Sequence, residues 1–268
     1  MAAHPAIQRL LEANPLREPV LRAAIQALRL PDGSRGLDVG CGVGLQAIQL
    51  ADAVGPAGHV AGVDVDPAIL AFATDLVRQA GYADRIAFRE GDMRRLPFPD
   101  ATFDWVWSAD CVGYPLGELA PVLAELMRVV RPGGSVVILA WSSQQLLPGY
   151  PLLEARLNAT CSAYLPYFKG QSSELHFLRA PRWFQEAGLA QIEARTLAGD
   201  ARAPLGGGER AALASLLEML WGTPQPEVSP EDWSEYQRLC RPESPDFILD
   251  TPGYYAFFTY TMFRGRVP

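Results

Sequence analysis

The sequence predicts a doubly wound α/β fold, a mostly parallel sheet with helices on both faces. Three observations carry that prediction. Strand-like and helix-like segments alternate between residues 18 and 141. The intervening helical stretches are long enough for right-handed parallel crossovers. Runs such as Val136-Val137-Ile138-Leu139-Ala140-Trp141 are apolar throughout, as strands covered on two faces are.

The elements follow in order. Val20, Leu21, Ala24, Ile25 and Leu28 share one helical face over residues 18–30, and Pro31-Asp32-Gly33 ends that helix. The run Gly36-Leu37-Asp38-Val39 reads as a strand leading into Gly40, Gly42 and Gly44, and Leu45 to Ala53 as a helix. His59 to Val65 is a second strand. Pro67 to Gln79 is a second crossover helix, with Pro67 suited to its first turn. Arg85 to Glu90 and Phe103 to Ser108 are further strands, and Glu118 to Val130 is a helix. Arg131-Pro132-Gly133-Gly134 is a turn and Ser135 to Trp141 a fifth strand.

After Trp141 the alternation breaks. Two insertions, 142–178 and 199–252, flank a helix at Pro181 to Gly188 and a strand at Ala190 to Leu197. The first holds an amphipathic helix, Leu152 to Tyr164. The second holds one helix with Leu213, Leu216, Leu217 and Leu220 at core spacing, and another opened by the N-cap signature Ser229-Pro230-Glu231-Asp232. An aromatic strand, Tyr254 to Phe263, closes the fold. The chain reads as one domain, with the two insertions as helical caps.

Composition narrows the function. Hydrophobic residues make up 49% of 268, enough for a substantial core. Acidic residues outnumber basic ones 30 to 23, for a net charge of −7, and Lys169 is the sole lysine. Without a basic stripe to neutralise phosphates, nucleic acid is a poor partner. Cys41, Cys111, Cys161 and Cys240 lie far apart with no CxxC spacing, so reduced thiols are expected and no metal site is. No apolar run approaches the roughly 18 residues of a spanning helix. The N-terminus lacks the basic-then-apolar pattern of a signal peptide, so a cytoplasmic protein is expected.

In a doubly wound sheet, ligands bind at the carboxyl ends of the strands. Three features meet there. The loop Asp38-Val39-Gly40-Cys41-Gly42-Val43-Gly44 can turn tightly and let a ligand approach its backbone, with unpaired N–H groups at the following helix start. Asp64 ends the second strand, where a carboxylate can accept both hydroxyls of a ribose. Gly91-Asp92-Met93 follows the third, where an acceptor could meet an adenine amine. A helix cap is the other reading of Asp64, although Asp66, directly before Pro67, suits that task better.

The segments DVGCGVG, GVDVDP, EGDMRRLPFPDATFDWVWS and LMRVVRPGGSVVILAW together resemble the class I S-adenosylmethionine (AdoMet) dependent methyltransferases. Within these the chain is similar to the group that includes the quinone-biosynthesis C-methyltransferases. The resemblance implies a seven-stranded sheet of the Rossmann-like methyltransferase type, its last strand antiparallel. It further implies AdoMet as methyl donor, with Asp38 and the loop Gly40, Cys41, Gly42 and Gly44 at its methionine end. Asp64 would take the ribose, and Val65 would lie beside the adenine. Asp92 would accept from the adenine amine, Met93 would pack on the ring, and Ser108 would line the cavity near the methionine end. After the fourth strand, where many relatives carry a histidine pair, this chain has Asp110-Cys111-Val112-Gly113-Tyr114. Acceptor chemistry is therefore not carried over.

A general base is needed only where the acceptor must lose a proton. The candidates are His176, which could equally be structural, Tyr114, which could instead shape the pocket, and Asp110, which could instead cap a loop. The first insertion supplies Tyr150, Tyr164, Tyr167, Phe168, His176 and Phe177, suited either to an apolar or cationic small acceptor or to a subdomain core of their own. The main reading is AdoMet-dependent methyl transfer to a small molecule. A nicotinamide-dependent oxidoreductase shares the glycine turn and the ribose acid, and a non-catalytic AdoMet-binding module is the other alternative.

Overall fold

A computed structural model describes residues 4–112, 119–161 and 169–268. Tyr114, Tyr164, Tyr167 and Phe168 lie outside the described residues. The described chain runs α1 (Pro5–Leu28), β1 (Arg35–Val39), α2 (Leu45–Ala53), β2 (His59–Asp64), α3 (Pro67–Gln79), β3 (Ile86–Glu90), β4 (Phe103–Ala109), α4 (Ala120–Val129), β5 (Val130–Gln145) and α5 (Pro151–Asn158). It continues through α6 (Ala180–Glu186), β6 (Ala190–Arg202), α7 (Gly207–Trp221), α8 (Pro230–Cys240) and β7 (Tyr255–Arg266).

The strands form one seven-stranded sheet in the order β3-β2-β1-β4-β5-β7-β6. Neighbours from β3 to β5 pair in parallel, while β7 runs antiparallel to both β5 and β6. This is the doubly wound architecture, with the order reversing between β1 and β4 and ligand-binding loops above that point. Two apolar layers cover the sheet. One joins α1, α2, α5, α7 and α8 to Trp105, Trp107, Leu139 and Tyr260, and the other joins α4 and α6 to Val106, Ile138 and Phe263.

Local chemistry sets the crossover helices where the sequence predicts them. Asp66 caps α3, accepting from Ala68 N at 2.9 Å and Ile69 N at 3.3 Å, with Pro67 in the first turn. Several segments differ from expectation. Strand β6 runs on to Arg202, into the expected second insertion, because it keeps pairing with β7. The helix expected from Leu152 is described over Pro151–Asn158. Helix α1 begins at Pro5 rather than residue 18 and passes through Pro15 and Pro19. Each internal proline costs about 3 kcal/mol. Leu16, Val20, Leu21, Ile25 and Leu28 are all buried, and at roughly 1.5–3 kcal/mol apiece they outweigh that cost. The segment Arg131–Gly134, read as a turn, belongs to β5. Its backbone pairs with the chain end through Gly133 N to Val267 O at 2.8 Å and Val267 N to Gly134 O at 3.0 Å. Strand β5 also runs past Trp141 to Gln145, because β7 keeps pairing beyond a bulge between Trp141 and Ser143.

The helices of the two insertions share the α1-side core. Leu153 and Leu157 of α5 join Leu213 and Leu217 of α7 and Tyr236 and Leu239 of α8. Arg156 clamps Asp232 through two 2.7 Å hydrogen bonds, tying α5 to α8. Glu154 is fully buried and its two oxygens accept from Leu146 N at 2.7 Å and Leu147 N at 3.0 Å, which fixes the chain between β5 and α5.

Candidate methyl-donor site

At the carboxyl end of β1 the chain turns back on itself. Gly40 N and Cys41 N both donate to Val63 O of β2, at 2.8 and 3.0 Å, and Gly44 N closes the turn on Cys41 O at 3.0 Å. Gly40, Gly42 and Gly44 hold φ of 75°, 50° and 81°, the left-handed region that side chains avoid. Gly40 has no room in addition, since a Cβ there would meet Cys111 Sγ at 2.4 Å.

Asp64 organises this loop. Its Oδ2 accepts from Gly42 N at 3.0 Å and its Oδ1 from Asp66 N at 3.2 Å, so one carboxylate ties the turn after β1 to the turn after β2. Asp38 is buried in β1 at 2% exposure, and its Oδ2 has no hydrogen-bond partner among the described residues. Burial and then the charge of Asp64 push its carboxyl up to about 8. A buried, unpartnered carboxylate oxygen next to a second carboxylate is a place for a cation. The ammonium of the methyl donor that the sequence resemblance implies would fit such a place, with Asp38 and Asp64 as the residues to hold it.

The other predicted residues fall around this loop with varied surroundings. Val65 stands 64% exposed at the end of β2, and Met93 packs partly buried against the α4 side. Asp92 is engaged by Arg94, whose Nε reaches both carboxylate oxygens at 3.0 Å and whose N donates at 2.8 Å. These bonds hold its carboxyl down at about 2. Ser108 is fully buried, donating to Val39 O at 2.9 Å and accepting from Val112 N at 3.3 Å, so its hydroxyl laces β4 to β1. Cys41 is buried against Gly62, and burial pushes its thiol far up. Burial followed by the charge of Asp64 raises Cys111 to about 12.

The described proton-transfer candidates, Asp110 and His176, stand in separate surroundings. Asp110, at φ 50°, accepts from Trp141 N at 3.0 Å, from the Tyr260 hydroxyl at 2.9 Å and from Arg17 Nη2. His176 accepts from Leu178 N through Nδ1 at 3.2 Å, capping a single 3-10 turn, and partial burial lowers its pKa. Phe177 beside it packs edge-on against Phe263 in the α4–α6 layer, whereas Asp110 engages Tyr260 of the opposite layer. Tyr150 lies in the cap under Arg238, whose guanidinium sits 5.8 Å from the ring centre. The described members of the aromatic set thus divide between two layers.

Sequence reasoning missed His4, Leu10, Arg17 and Tyr260. His4 is the N-cap of helix α1 and Leu10 and Arg17 lie within it; its early turns carry two prolines and no buried side chain before Leu16 among the described residues.

The model of the methyltransferase domain family matches residues 37–134, which span β1 through the start of β5. The demethylmenaquinone methyltransferase of Bacillus cytotoxicus is 31% identical over 188 residues, covering 63% of this chain and 77% of that protein. The chain belongs to the class I AdoMet-dependent methyltransferases. The YcgJ protein of Bacillus subtilis superposes with a TM-score of 0.55 at 16% identity, over 93% of this chain and 98% of that one. An AdoMet-dependent methyltransferase of Aquifex aeolicus gives 0.54 at 23% identity, over 71% and 89%. Both share the methyltransferase fold. This methyltransferase thus uses AdoMet as its methyl donor, and the oxidoreductase and non-catalytic readings are not favoured. No helix among its described residues is long and apolar enough to cross a membrane.

Proposed function

We propose that this methyltransferase acts in the cytoplasm on a small, largely apolar acceptor admitted between its insertions and the carboxyl ends of β4 and β5. The unpartnered, buried Asp38 beside Asp64 carries the placement of the methyl donor. On this reading Asp38 takes the ammonium of the methionine end against the Gly40–Gly44 loop, and Asp64 takes the ribose while holding Gly42 N. Val65 and Met93 flank the adenine, and Asp92 turns from Arg94 to its amine. Ser108 keeps the end of β4 registered on β1 beneath the methionine end.

AdoMet supplies a methyl on a sulfonium, a leaving group that needs no activation. The chain's own contribution is alignment, which can supply several kcal/mol. An acidic surface with a single lysine argues against nucleic acid as acceptor. The demethylmenaquinone relatives make a quinol ring the first acceptor to test. His176, whose pKa partial burial lowers, is the candidate to receive a proton from such an acceptor if its segment approaches the methyl. The test is methyl transfer from labelled AdoMet to a panel of quinols, phenols and amines. Label in an organic-soluble product that depends on Asp64 supports the reading. Label found only in nucleic acid or protein overturns it.

A further inference from the structure

Helix α1 reaches four strands at the ligand-binding edge. His4 Nε2, at its start, lies 3.4 Å from Asp66 Oδ2, just beyond β2. Leu10 lies over the glycine turn after β1, where a Cβ on Gly42 would come within 3.2 Å of its Cδ1. Arg17 then joins β4 to β7, donating through Nε to the Tyr260 hydroxyl at 2.8 Å and through Nη2 to Asp110. Tyr260 in turn donates to Asp110 Oδ2 at 2.9 Å, and Trp141 N of β5 donates to Oδ1 at 3.0 Å.

Two features set this arrangement apart from an ordinary surface ion pair. Arg17 and Asp110 are only 19% and 17% exposed, so solvent screens them little. Asp110 also holds a left-handed backbone, φ 50°, a conformation that is unfavourable for a non-glycine residue and persists where the surroundings enforce it. The part of α1 before Arg17 is weakly held by comparison. Residues 4–15 include no fully buried side chain. Pro15 and Pro19 each lack the N–H that would continue the helix ladder, so the helix is weakened on both sides of Arg17. Such a segment sits at the low-stability end of a fold, and one added contact decides how often it is docked.

We propose that the first turns of α1 form the outer wall of the methyl-donor pocket, and that Arg17 is a positioning residue that keeps the wall docked through Asp110 and Tyr260. Leu10 presses on the turn that receives the methionine end, so undocking residues 4–15 opens the route by which the donor enters and its product leaves. Asp110 serves here as the anchor of that contact. The inference rests on the placement of the donor at Asp38 and Asp64.

The test is the dissociation rate of AdoMet, chased with excess S-adenosylhomocysteine, together with steady-state kinetics. Arg17→Met is expected to speed dissociation and raise the AdoMet KM about tenfold while kcat at saturating AdoMet stays within about twofold. Arg17→Lys should restore part of the loss, and Asp110→Asn added to Arg17→Met should change little more. Tryptic cleavage after Arg9 should be slowed by AdoMet in the wild type and much less in Arg17→Met. If Arg17→Met does not fold, Leu10→Ala carries the same expectation without disturbing the polar triangle. Unchanged dissociation in a folded variant overturns the proposal, as does a lower kcat with an unchanged KM. Asp64→Ala separates the two levels. If it leaves AdoMet affinity intact, the donor placement fails; if it weakens binding while the α1 variants do not, only the role of α1 fails.

Discussion

On the proposed placement of the donor, Asp38 is held in conflict between stability and binding. Its folded pKa, about 8, stands above the ordinary value of 3.8 because burial and Asp64 disfavour the anion. A raised folded pKa means that the favourable contribution is complete below pH 3.8 and is lost as pH rises toward 8. The ligand-free protein should therefore lose stability across that window, and Asp38→Asn should flatten the loss, gaining about 1–3 kcal/mol at pH 8. Thermal melts of both proteins from pH 5 to 8.5 check this, and parallel slopes would contradict it. The same variant should bind AdoMet poorly, since an amide cannot neutralise an ammonium. Asp64→Ala should weaken AdoMet by about 1–3 kcal/mol through lost charge-assisted bonds, read by calorimetry on folded protein. Gly42→Val should abolish binding, because Gly42 holds φ 50° and a branched side chain there would also displace Leu10. Normal affinity in a folded Gly42→Val protein would contradict it.

At the scale of elements, legibility in the sequence tracks the range of the cause. Helices 45–53 and 67–79 were readable because their caps and periodicity are local: Gly44 and Asp66 stand immediately before them. Arg131-Pro132-Gly133-Gly134 carries the residues of a turn, and only pairing with Val267, far along the chain, makes it part of β5. The early turns of α1 failed to register because prolines break the pattern, and Arg17, which follows them, bonds a side chain 93 residues away, Asp110. The glycine loop and its acids were legible as a motif, while Leu10, Arg17 and Tyr260 come to the same edge only in three dimensions. The segment between β5 and α5 offers a test at this scale. Glu154 is the hydrogen-bond acceptor for Leu146 N and Leu147 N in a buried setting. Glu154→Ala leaves two buried donors unsatisfied, at about 1–3 kcal/mol each. Denaturant unfolding should show that loss, and a change below 0.5 kcal/mol, the usual reach of a surface substitution, would contradict it.

At the scale of the molecule, the proposed function divides labour along the sheet. The carboxyl ends of β1 to β3 carry the groups suited to the donor, which leaves acceptor choice to β4, β5 and the insertions. Tyr150→Ala and His176→Ala should then change acceptor kcat/KM by about tenfold, or 1.4 kcal/mol, while AdoMet affinity holds within about twofold. Steady-state kinetics with each substrate varied in turn separates these effects. The division of labour itself is tested most directly by a crystal structure of the protein with S-adenosylhomocysteine. The amine is expected on Asp38, the ribose hydroxyls on Asp64 and Leu10 closed over the methionine end. Homocysteine bound away from Asp38, or a ribose making no contact with Asp64, would contradict it.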